Sequence, residues 1–142
     1  MGTKTDPAKL IRDLNRALPL LARDATATAM AAGTLPGPQG IAIAIRLREI
    51  ATDEIRDVES VAARIASLGG SATLAVEVLE APKTWAAAVK WLMKMQRETL
   101  DAFVEAIPAD ADDAEGEASE HLLEHIVSRK RDAVEILERA LR

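Results

Sequence analysis

The chain has no cysteine and no tyrosine, and its 142 residues include only one phenylalanine and two tryptophans. Without a thiol there is no disulfide, no thiolate metal site and no cysteine nucleophile. That lack fits a reducing, cytoplasmic setting. No run of eighteen apolar residues is free of charge, so nothing in the sequence is expected to span a membrane. The opening, MGTKTDPAKL, has no apolar stretch behind its lysines and does not read as a signal peptide. Basic charge is also short: 18 Lys plus Arg stand against 23 Asp plus Glu, a formal net charge of -5. A phosphate backbone demands concentrated positive charge, so nucleic acid is not an expected partner.

What is present is Ala, Leu, Ile and Val in helical rhythm, at a length of about one domain. The stretch LREIATDEIRDVESVAARIASLGG organises the rest. Its apolar residues Leu47, Ile50, Ile55, Val58, Val61, Ala62, Ile65 and Leu68 recur at helical spacing. Gly69 and Gly70 form its stop. Four helices are predicted, over about 7–32, 41–68, 84–107 and 115–141. Asp6-Pro7 is a good opening for the first, and Leu10, Leu14, Leu18 and Leu21 form its stripe. Pro19 is expected to kink that helix or loosen its preceding turn. Residues 1–7 read as a loose arm. The segment GTLPGPQG, residues 33–40, reads as a loop on its glycines and prolines. The alternation in IAIAIRL allows a strand, but the helical pattern that follows favours helix. Residues 71–82, SATLAVEVLEAP, are the longest connection and are expected to lie along the bundle with a short helical turn. A crossover there lets helices two and three run parallel.

Few side chains offer chemistry. Glu54 and Asp57, three apart, share a helix face that can turn inward. Buried without partners they would be costly. Lys130 or Arg129 could neutralise one of them, giving a structural ion pair rather than a catalytic site. Glu98 and Asp101 share a face next to Gln96 and read as surface or subunit-contact charges. His121 and His125, four apart and near Glu117, Glu120 and Glu124, could hold a divalent ion such as zinc. The plainer reading is a solvated or interface pair. ADADDAEGEA carries five acids, but without the ordered EF-hand spacing it reads as a solvated helix start rather than a calcium loop. Met30, Met93 and Met95 read as core filler. The glycines fit no phosphate loop, and no Ser-His-Asp arrangement can be defended.

Taken together, LNRALPLLARD, DEIRDVESVAARIASLGGSATL, KMQRETLDAFVEAI and LLEHIVSRKRDAVEIL resemble the ferritin-like superfamily, especially bacterioferritin and its starvation-induced DNA-protecting relatives. The resemblance covers nearly the whole chain. It implies an all-α, ferritin-like antiparallel four-helix bundle with a long crossover between helices two and three. It also implies a homo-oligomer, dimer or higher. A chain that stops at Arg142 leaves no fifth helix, which weakens the case for the largest cages.

Carried over residue by residue, the family's di-iron ligands are mostly lost. The first-helix glutamate matches Leu21, and the second-helix Glu-x-x-His matches Glu54 and Asp57. The third-helix glutamate falls at Gln96, or at Glu98 with a slipped register, and the fourth-helix pair falls at Lys130 and Ala133. The haem methionine position is Ile55, and the inter-subunit acid positions are Glu59 and Ala63. The expectation is a bundle with no cofactor, in which an ion pair of Lys130 with Glu54 and Asp57 replaces the metals. The alternative is an iron-binding, ferroxidase or storage protein of the bacterioferritin type with a displaced or inter-subunit site, in which Glu54, Asp57, Glu98 or Glu59 converge with His121 or His125 of a second copy.

Overall fold

In the computed structural model, residues 3–142 are described. Four helices follow one another: α1 (Pro7–Thr34), α2 (Gly37–Ser67), α3 (Trp85–Ala106) and α4 (Ala114–Ala140). Three start as their sequences dictate. The side chains of Asp6, Thr84 and Asp113 accept from the backbone N–H of Lys9, Ala87 and Gly116. α2 closes with Gly70 N–H donating to Ile65 O and Gly69 N–H to Ala66 O, with Gly69 at φ 89°. That is the glycine stop in its left-handed form.

The connection between α1 and α2 is much shorter than the predicted 33–40 loop. α1 continues to Thr34 and α2 begins at Gly37, so only Leu35 and Pro36 lie between them. Pro38 sits in the first turn of α2, where a missing N–H costs nothing. Gly37 takes φ 72° to make the corner. IAIAIRL is helical, with Ile43, Ala44 and Leu47 turned inward and Ile41 and Ile45 exposed. α1 runs through Pro19 without a break.

The long connection follows α1 in the same direction. Asn15 donates to Ser71 O at 3.0 Å and accepts from Thr73 N–H at 2.9 Å. Farther along, Glu77 lies 3.8 Å from Arg23. Leu79 packs against the core, but Leu74, Val76 and Val78 are exposed. No helical turn forms in residues 71–82, because polar anchors hold this strap rather than burial of its own apolar side chains.

The arm is tied down as well. Asp112 N–H donates to Thr3 O, and the Thr5 N–H and hydroxyl both donate to the Asp113 carboxylate. Residues 1 and 2 of the predicted loose arm lie outside the described residues.

The core has two apolar blocks. Leu10, Leu14, Leu18, Leu21, Val61, Ile65, Phe103, Leu123 and Ile126 fill one end. Ala27, Ala31, Ile43, Leu47, Val89, Leu92, Met93, Met95 and Leu137 fill the other. Met93 and Met95 are therefore core, while Met30 is half-buried. Between the two blocks in sequence, on all four helices, stand the buried polar residues Arg23, Asp24, Glu54, Asp57, Gln96, Thr99 and Lys130.

Candidate functional site

Lys130 is on the inner face of α4 and only 2% exposed. A buried ammonium is tolerable only if its three N–H groups find acceptors. They find one on each of the other helices. Nζ lies 2.8 Å from Asp24 Oδ2 on α1, 2.5 Å from Glu54 Oε2 on α2 and 3.0 Å from Gln96 Oε1 on α3. The Gln96 amide donates back to Glu54 Oε1 at 3.0 Å, closing the ring. One cation thus bridges three helices at the middle of the bundle.

Asp24 is fully buried and also accepts from Arg23 Nε and Nη2, each at 3.2 Å. Arg23 spreads its remaining donors over Met95 O at 3.1 Å and Glu98 Oε2 at 3.0 Å. Burial pushes the Glu54 carboxyl above its usual range, against the pull of Lys130 and Gln96, while the Asp24 charge pushes the same way as burial. Asp57 is also raised by burial, opposed chiefly by Arg129.

The residues singled out from sequence separate here. Glu54 and Lys130 face each other in the central layer. Asp57 does not join Lys130: its carboxylate takes both Arg129 Nε, at 3.1 Å, and Arg129 Nη2. The expected three-member pair of Lys130 with Glu54 and Asp57 is corrected to two neighbouring pairs, because Asp57 stands nearer the mouth of the layer where a longer guanidinium reaches it. Glu98 is at the edge, half exposed and held by Arg23. His121 and His125 are exposed on the outer side of α4, away from the layer. Asp24 went unrecognised in the sequence, although it continues the buried stripe of α1 three residues past Leu21.

A cleft of about 140 Å³ opens between α2 and α4 onto this layer. Glu49, Asp53, Asp57, Arg129 and Asp132 line its walls, and Glu54, Gln96 and Lys130 are reached through it. Among the described residues, no three His, Cys, Asp or Glu side chains are grouped so that they could hold a metal ion. The donor set also fits a resident divalent metal poorly. The oxygens of Asp24, Glu54 and Gln96 converge on a point already filled by an ammonium, and adding a dication there places it against like charge. No described helix is long and apolar enough to cross a membrane.

No protein-family model matches the chain. No curated protein matches it either. Solved structures do. A dodecameric thioferritin, the bacterioferritin-related protein of Bacteroides fragilis, superposes with a TM-score of 0.86 at 17% identity, covering 97% of this chain and 87% of that one. A ferritin-like, diiron-carboxylate protein from Bacillus anthracis gives 0.86 at 20% identity, over 99% of this chain and 100% of that one. The Mycobacterium tuberculosis bacterioferritin BfrA gives 0.83 at 21%, over 98% and 87%. At such identities the likeness is one of architecture, and it covers the bundle from end to end: the chain has the ferritin-like four-helix fold.

Proposed function

We propose that this chain is a ferritin-like bundle without the usual di-iron ferroxidase centre, and that it acts as a binding or structural module through self-association. The observation that carries the reading is the Lys130 ammonium, held by Asp24, Glu54 and Gln96 at the middle of the bundle. In this reading the lysine supplies the positive charge that balances inward carboxylates, so the layer needs no cofactor. Cytoplasmic residence belongs to the same reading.

Self-association is supported by where apolar surface remains. Ile41, Ile45 and Ile55 on α2 and Leu74, Val76 and Val78 on the strap are all exposed. Ile41 and Ile45 stand one helical turn apart on α2, so a second copy would bury aliphatic surface there. The thioferritin of Bacteroides fragilis, with the same fold, is dodecameric. The proposed contact is with further copies of this chain.

The test is aerobic incubation with ferrous iron, desalting and elemental analysis. The reading expects less than about a tenth of an iron per chain, with no faster iron oxidation than in buffer. About two or more irons per chain, lost in Glu54→Ala, would establish the alternative of a ferroxidase or storage protein with a rearranged site.

A further inference from the structure

From the outer face of α4, away from the central layer, we infer that His121 and His125 form a two-imidazole chelate for a borderline divalent ion of the zinc, copper or nickel type. The two residues are four apart on the helix, both are exposed, and their Nε2 atoms stand 3.3 Å from each other. The rings meet edge to face, with centroids 4.5 Å apart and an interplanar angle of 86°. Two nitrogens bound at about 2.05 Å to a tetrahedral ion stand about 3.3 Å apart, so the pair already has the required bite.

The nitrogen chemistry agrees. The two Nε2 atoms are within hydrogen-bond distance, one Nε2–H donating to the other Nε2; moving that proton to Nδ1 of its own ring frees both Nε2 lone pairs for a shared cation. Imidazole selects borderline transition ions over the hard ions magnesium and calcium, which prefer oxygen. The surrounding charge also favours a cation. Glu117 lies four residues before His121 and Glu124 three residues after it, on neighbouring helix positions. The nearest cation along the same stripe, Arg129, has its guanidinium directed to Asp57. The helix between the two histidines belongs to a packed element, with Leu123 buried beneath, so little ordering is required on binding. With two protein ligands, water completes the coordination shell.

The test is calorimetric titration of the whole chain with Zn²⁺ in a non-coordinating buffer, with Cu²⁺ followed by electron paramagnetic resonance. One ion per chain is expected, with hyperfine coupling from two imidazole nitrogens. His121→Ala and His125→Ala should each weaken binding about tenfold or more, because either change breaks the chelate. Both sites are exposed, so circular dichroism should show both variants folded. Excess Mg²⁺ should not compete. No binding by the wild-type chain, or binding unchanged in both variants, would overturn the assignment.

Discussion

At the residue scale the molecule is defined by one lysine. Lys130 satisfies two carboxylates and an amide that would otherwise face one another in the buried layer. Removing it therefore does more than delete a contact. Lys130→Met keeps an aliphatic stem of similar length but leaves Glu54 buried without a cation and Asp24 with Arg23 alone. The loss should be about 3–5 kcal/mol, read as a lower urea midpoint. Adding Glu54→Gln to Lys130→Met removes the stranded charge and should recover much of that loss, while Asp24 keeps Arg23. If Lys130→Met alone unfolds at the wild-type midpoint, the layer is not held by its ammonium. Part of the layer can be read from sequence: the three-residue spacing of Glu54 and Asp57 puts them on one face, and Lys130 lies among inward positions of α4. The choice of partners cannot be read so directly. It depends on depth, since Asp57 is near enough to the mouth for Arg129 to reach it, whereas Asp24 is deep on the leucine stripe of α1.

At the scale of the elements, caps and corners decide where helices stop. The four helices are legible because their apolar stripes repeat at 3.6 residues, and three of their starts carry a capping Asp or Thr. The corner between α1 and α2 was not, because Gly and Pro are signals of a loop and also of a first helical turn. Packing settles the ambiguity. A Cβ built on Gly40 would lie 2.3 Å from Leu35 O, so the tight corner depends on glycine there, whereas one on Gly33 meets nothing within 4 Å. Gly40→Ala should destabilise by about 1–3 kcal/mol. Gly33→Ala, in a helix at negative φ, should stabilise by about 0.4–1 kcal/mol. Equal midpoints for the two variants would contradict this corner.

The start of α4 carries its own pH dependence. Hydrogen bonds from Thr5 and Gly116 hold the Asp113 carboxyl below its usual range. A carboxyl with a depressed folded-state value contributes stability above its unfolded value, here about 3.9, and loses that contribution as pH falls toward the folded value. Asp113→Asn should therefore lower the melting temperature at neutral pH, and the gap to wild type should narrow on acidification below about pH 4. A gap constant from neutral to acid pH would show that Asp113 does not anchor the arm to α4 through its charge.

At the scale of the whole molecule, a short two-residue corner, a long strap and a second antiparallel pair give the ferritin-like arrangement. The strap was legible as a crossover from its length. That its valines face outward was not, since alternation alone does not say whether a strap is covered by its own bundle or by another chain. In solution, sedimentation should report a discrete oligomer for the wild type. Ile45→Glu combined with Val78→Glu should shift it toward the monomer without loss of helix content, since both side chains are exposed in the single chain. A wild-type chain that sediments as a monomer at high concentration would leave those side chains unexplained.

The most direct test of the central claim is a crystal of the protein soaked in ferrous or manganous salt, with data collected at the metal edge. No anomalous density is expected among Asp24, Glu54, Asp57 and Gln96, with Lys130 Nζ at the shared point of that layer. Anomalous density between Glu54 and Asp24, with the Lys130 side chain swung out toward the cleft, would contradict it.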